Sequence, residues 1–103
     1  MLETVTVNTF GPLIRSDFRI LVDESSWLEV TLEAVEAAGL QAADAARAAG
    51  RREPFSIVFR GPVEPVLPQR IYRLEHAELG ELELFLVPIA QDADGTRYEA
   101  VFA

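Results

Sequence analysis

Apolar and polar residues alternate with a period of two along most of this chain. That period marks half-buried strands, because successive side chains of a strand point to opposite faces. The clearest stretch is Tyr72–Phe102, YRLEHAELGELELFLVPIAQDADGTRYEAVF. Turn pairs Leu79-Gly80 and Asp94-Gly95 divide it, so the pattern predicts three strands: Arg70–His76, Glu81–Ile89 and Thr96–Phe102. Within Glu81–Val87, Leu82, Leu84 and Leu86 face inward. Phe85 and Val87 share the outer face with Glu81 and Glu83, so that strand is apolar on both faces toward its end.

Three strands are predicted upstream. Asp17–Asp23 places Phe18, Ile20 and Val22 on one face. After the polar turn Asp23-Glu24-Ser25-Ser26, a longer strand from Trp27 to Ala37 has Leu28, Val30, Leu32 and Ala34 on one face and Glu29, Thr31 and Glu33 on the other. A helix would scatter those leucines and glutamates round a cylinder, so strand is the better reading. Pro54–Arg60 alternates Phe55, Ile57 and Phe59. A polar outer face on such strands belongs to antiparallel sheets.

Three segments break the pattern. Residues 2–14 combine a β-like run, Thr4–Val7, with Gly11-Pro12, and Phe10, Leu13 and Ile14 are expected to plug one end of the core. Residues 38–53, AGLQAADAARAAGRRE, are rich in alanine, and Gln41–Ala49 reads either as a short helix closed by Gly50 or as a solvated loop. Residues 61–70, GPVEPVLPQR, carry three prolines and are expected to form an ordered crossover loop or a sheet edge.

The fold class is therefore all-β with minor α. Six to seven short antiparallel strands in one domain, residues 1–103, curl into a small β-sandwich or a partly open barrel. The last strand is either pinned centrally or left as an edge available for pairing.

Composition narrows the functions. The 103 residues include no cysteine, which removes thiol chemistry, disulfides and cysteine zinc sites. Nine basic residues against seventeen acidic ones give a formal net charge of −8. That balance disfavours nucleic acid, whose phosphates need clustered cations. No apolar run reaches the roughly 20 residues of a membrane helix. The N-terminus lacks a basic segment followed by an apolar core, so a cytoplasmic protein that does not enter membranes is expected.

Candidate chemistry is sparse. His76 lies between Glu75 and Glu78, where a general base is conceivable, but no motif marks a nucleophile or a companion metal ligand. No catalytic residue, metal or cofactor is expected. Asp92-Ala93-Asp94-Gly95 is a fragment of a calcium-loop pattern, better read as a hairpin turn. Glu29, Glu33, Glu81 and Glu83 would form an acidic patch on neighbouring strands, with Arg60, Arg70, Arg73 and Arg97 as cross-strand partners. Tyr72, Arg73 and His76 are the candidate pocket groups. Trp27, Phe85, Val87, Tyr98 and Phe102 are the candidate interface residues, since aromatic side chains are enriched at interfaces.

The strings PFSIVFRGP, LPQRIYRLEHAELGELELFLVPI and YEAVF, with the N-terminal Leu2–Leu13, carry a resemblance. They resemble an uncharacterised family of small bacterial proteins, a domain of unknown function with a YRLEHPELGELELFLVPI-type motif. The match spans most of the chain except the alanine segment. Ala77 stands where that pattern has Pro, and Ala103 where it has Asn. The resemblance transfers no catalytic residue. It implies an association with phage-tail-collar-like proteins, and so an accessory or structural part of a fibre or tail-like assembly. A non-enzymatic protein-binding or structural β-domain is the leading expectation, with a protein partner and self-association into a homo-oligomer beside it. A small-ligand barrel or minor enzyme, and a self-assembling structural subunit, are the alternatives.

Overall fold

Alternation forces each strand to hide one face, and six strands hide theirs by closing on themselves. A computed structural model describes residues 7–37, 44–45, 47–50 and 54–102. The strands are β1 (Asp17–Asp23), β2 (Ser26–Ala37), β3 (Phe55–Gly61), β4 (Arg70–His76), β5 (Gly80–Asp92) and β6 (Gly95–Phe102). They close in the order β1-β2-β3-β6-β5-β4, all neighbours antiparallel. Two meanders, β1-β2-β3 and β4-β5-β6, are thus joined along both seams. One seam pairs β3 with β6 from Phe55↔Phe102 to Gly61↔Thr96. The other pairs β1 with β4 through Arg19↔Glu75, Ile20↔Leu74 and Leu21↔Arg73.

The all-β expectation holds in its barrel form rather than as a sandwich, with six strands and a ring that is fully closed. The last strand lies between β3 and β5 and is not a free edge.

Interior positions follow the predicted alternation. Phe18, Ile20, Val30, Leu32, Phe55, Ile57, Phe59, Leu74, Leu84 and Leu86 are buried in one cluster. Phe18 meets Phe59 edge-on at 5.0 Å, a favoured aromatic geometry. The alternation slips at a bulge in β2, where Leu32 pairs with Phe59 but Ala34 with Val58. One extra residue shifts the inward face, so Val35 packs on the core rather than Ala34. Leu32 also binds the chain that leads into β1: its N–H donates to Ser16 O at 3.0 Å, and its carbonyl accepts from Arg15 N–H at 2.7 Å.

Both ends of the barrel are stoppered. At one end Phe10, from the helical turn α1 (Val7–Phe10), sits 5.5 Å from Phe102 and 6.1 Å from Phe55. Leu13 is buried near it, but Ile14, expected in the same plug, is exposed. Of the β-like run Thr4–Val7, residues 4–6 lie outside the described residues, and Val7 begins that helical turn. At the other end the proline-rich segment crosses from β3 to β4, the crossover arm of the expectation. Leu67 is buried there, and its N–H donates to the Tyr98 hydroxyl at 2.9 Å. Tyr72 Oη donates to Pro68 O, while Gln91 Nε2 and Thr96 Oγ1 both donate to Val63 O. In the alanine segment, residues 44–45 and 47–48 are helical and Gly50 follows with φ 72°, while residues 41–43 and 46 lie outside the described residues.

The hairpin turns use their glycines differently. Gly80 has φ 75°, with open space where a Cβ would go. Gly95 has φ 141°, and a Cβ there would lie 2.2 Å from the Gly61 carbonyl oxygen across the β3–β6 seam. Gly80→Ala is expected to cost about 1 kcal/mol, the left-handed backbone term alone. Gly95→Ala is expected to cost at least ~2 kcal/mol, because strain and clash act together. Urea denaturation of the two variants checks the order.

Turn carboxylates give an acid dependence. Asp92 accepts from the Asp94 N–H at 2.8 Å and from Arg97 Nη1 at 2.8 Å. The backbone bond first, and the guanidinium after it, hold its carboxyl below the ordinary 3.8. Asp23 is lowered likewise, chiefly by the Ser25 N–H. A group depressed in the folded state stabilises the fold above its unfolded value, near 3.8, and that contribution is lost as pH falls through the lower folded value. Stability is therefore expected to fall with acid from about pH 4 downward. Asp92→Asn should flatten that slope in denaturation midpoints measured across the range.

Candidate functional site

His76 ends β4 and is 8% exposed. Its ring packs 4.4 Å from that of Phe18. Nδ1 accepts the backbone N–H groups of Glu78 at 3.0 Å and Leu79 at 3.3 Å, across the β4–β5 turn. An imidazole nitrogen that accepts carries no proton, so the proton of the neutral ring sits on Nε2. Nε2 lies 3.0 Å from Ser16 Oγ, and that hydroxyl donates onward to Leu13 O at 2.5 Å.

A serine and a histidine in contact would suggest a nucleophile and its base. The polarity here runs the other way. A general base needs a free lone pair on the nitrogen facing the hydroxyl, with an acceptor fixing the proton on the opposite nitrogen. In this barrel Nε2–H faces Ser16, and Nδ1 faces two donors. The pair ties the chain before β1 to the β4–β5 turn.

An open cleft of about 480 Å³ lies beside it, lined by Asp17, Arg19, Glu29, Glu75, His76 and Glu81 among others. Pairing explains the gathering of charge. Glu29 opposes Arg19, Arg19 opposes Glu75, and Glu75 opposes Glu81 across four strands. The expected acidic patch is thereby rearranged. Glu29 and Glu81 share this row, Glu83 opposes Arg73 one row away, and Glu33 binds Arg97 Nε at 3.2 Å. Bonding to Glu33 first, then Asp92, pushes the Arg97 pKa up. Arg60 opposes Arg97 rather than a glutamate. Arg70 donates to Val22 O and lies 4.7 Å over the Tyr72 ring. Among the described residues no group of three or more His, Asp or Glu side chains is placed to hold a metal ion.

The three candidate pocket groups do not converge. Tyr72 points into the barrel and is buried, and burial raises its phenol pKa above the ordinary value against the opposing pull of Arg70. Arg73 faces outward and lines a separate shallow cleft with Leu21, Asp23, Glu24 and Glu83. Only His76 borders the acidic cleft. A strand alternates its side chains, so Tyr72 and Arg73 as neighbours in sequence must face opposite ways.

The five candidate interface residues also separate. Tyr98 is 1% exposed and Phe102 5%; both face inward from β6 and belong to the core, which corrects their assignment to a surface. Trp27 is exposed with the Arg19 guanidinium 4.9 Å from its ring centre. Phe85 is 48% exposed on the outer face of β5, and Val87 is half-buried on the same face.

Two residues join Phe85 that the sequence reading passed over. Ile71, 64% exposed, is its register partner on β4. Val101, 68% exposed, lies on the neighbouring strand β6, on the outer face two positions past Glu99, where the β5–β6 register ends. Ile71 and Phe85 thus form an outward apolar pair across β4 and β5, and Val101 is exposed on the same face of the adjacent strand β6, an outer apolar row over three strands. The signal was present in the alternation, as apolar residues at positions reserved for polar ones.

A family model described as Domain of unknown function (DUF6916) matches residues 5–102. Neither the curated proteins nor the solved structures compared with this chain give a match.

The structural role of the Ser16–His76 tie is testable. Ser16→Ala is expected to cost about 1 kcal/mol, and His76→Ala about 2–4 kcal/mol because two backbone donors lose their acceptor. The double variant should lose less than the sum, since the residues form one network. Urea denaturation measures all three. An imidazole nitrogen NMR spectrum of the folded protein should show the proton on Nε2.

Proposed function

We propose that this chain, which belongs to the family described as Domain of unknown function (DUF6916), is a non-enzymatic protein-binding or structural accessory barrel. Its docking face is the outer row Ile71–Phe85–Val101. The row itself carries this reading. Monomeric proteins rarely leave large apolar side chains contiguous and exposed, and such patches mark interaction sites. Here Ile71 and Phe85 stand side by side across β4 and β5, with Val87 beside Phe85 and Val101 exposed on the same face of the neighbouring β6. Strand-edge pairing, one of the modes expected for such a domain, has no role in this reading, because both seams of the ring are occupied.

The resemblance to proteins associated with tail-collar-like partners supplies the setting: an accessory component of a fibre or tail-like assembly, acting from the cytoplasm. Nothing in the Ser16–His76 geometry favours the enzyme alternative, since the Ser16 proton goes to the Leu13 carbonyl and the nitrogen that faces the hydroxyl oxygen is already protonated.

A tagged full-length protein, drawn from cells that encode it and washed with salt, is expected to retain one stoichiometric protein partner. The triple variant Ile71→Ser, Phe85→Ser, Val101→Ser should lose that partner while its denaturation midpoint changes by less than about 1 kcal/mol equivalent, because the residues are exposed. Return of the bait alone, or a captured partner indifferent to the triple variant, would sink the reading.

A further inference from the structure

Among the described residues, the outer row has a charged border in which carboxylates outnumber guanidinium groups. Glu83 precedes Phe85 on the same face of β5, and Glu99 sits beside Val101 on β6, opposite Val87. Beyond Val101 the same row continues to Ser56 on β3 and then to Glu36 on β2. Glu36 and Glu83 are exposed, and Glu99 is partly so. Against these three carboxylates stand Arg73, whose register partner is Glu83, and Arg97, one same-face step from Glu99 on β6 and held by Glu33 and Asp92. Arg70, the other basic residue of β4, is engaged with the Val22 carbonyl and the Tyr72 ring. Past Glu83 the acid continues through Glu81, Glu75 and Glu29 at the open cleft.

We propose that the surface which covers this row is an apolar strip bordered by Lys or Arg side chains on a different protein. This rests on the docking reading above and adds the chemistry of the partner. Apolar contact supplies affinity, while rim charges steer the encounter and select against wrong partners. A second copy of this chain is a poor occupant. It would bring the same carboxylates against Glu36, Glu83 and Glu99, and each copy carries a net charge of −8. A cationic border neutralises the rim without burying a charge, and its benefit is screened by salt.

Two designed amphipathic peptides make the test. They share one Leu/Phe stripe; one borders it with Lys and the other with Glu. Each is titrated into the isotope-labelled full chain, and backbone amide shifts are followed. The Lys-bordered peptide is expected to shift amides around Ile71, Phe85 and Val101 and to bind roughly tenfold more tightly than its acidic twin at low salt. The difference should shrink with added salt and in the variant Glu36→Gln, Glu83→Gln, Glu99→Gln. Ile71→Ser with Phe85→Ser should remove both bindings.

Equal affinity for the two peptides, lost in the Ile71 and Phe85 variant, would overturn the cationic partner and leave the docking row standing. No shift of β4–β6 amides with either peptide would overturn both. Binding of the Lys peptide that survives the apolar substitutions would move it to the acidic cleft and overturn the proposal. So would a dimer in sedimentation equilibrium that Phe85→Ser dissociates, because the occupant would then be a second copy.

Discussion

Pairing of β1 with β4 is the contact on which the rest of the molecule depends. Without it the six strands form an open sheet with two unsatisfied edges and an apolar face in water. With it every strand has two neighbours, and the inward face becomes an enclosed core. The seam is short, three register pairs centred on Ile20 and Leu74. Supports next to it extend its reach. The chain before β1 bonds to Leu32 at the β2 bulge, and the Ser16–His76 tie crosses to the turn after β4. His76 belongs to this closure: it satisfies two turn amides with one nitrogen and reaches the N-terminal segment with the other.

Much of this was legible from alternation. The sequence alone predicted the strands and most inward residues, because a period of two leaves little freedom once one face must be dry. What it left open was long-range. The β1–β4 and β3–β6 pairings join residues far apart in the chain, and local pattern holds no information about which strand closes on which. The same gap explains Tyr98 and Phe102. They read as surface aromatics while the last strand was free to be an edge; placed between β3 and β5 they became core. The β2 bulge was invisible for a different reason. Glu33 and Ala34 continue the alternation in sequence, and only the backbone shows the extra residue that turns Val35 inward.

The candidate site divides along the same line. Phe85 and Val87 stood out because they broke the polar face of β5. Ile71 and Val101 break the polar faces of their own strands just as plainly, but each is a single residue, and single exposed apolar residues are ordinary. Their meaning comes from the fold, which pairs Ile71 with Phe85 and sets Val101 on the same face of the next strand. Ser16 could not be singled out at all: it lies 60 positions from His76 in sequence, and only the fold brings them within 3.0 Å.

The consequence of ring closure extends to the kind of assembly such a unit can enter. Backbone pairing is open-ended, since each added strand exposes a fresh edge to the next and a stack grows without a set length. A barrel with both seams filled cannot extend such a stack. If it docks through one lateral row, its valence is one, and a subunit of valence one ends a chain of contacts instead of continuing it. In a repeating structure that is the property of a cap or an adaptor, a part that occurs in fixed number and sets a boundary.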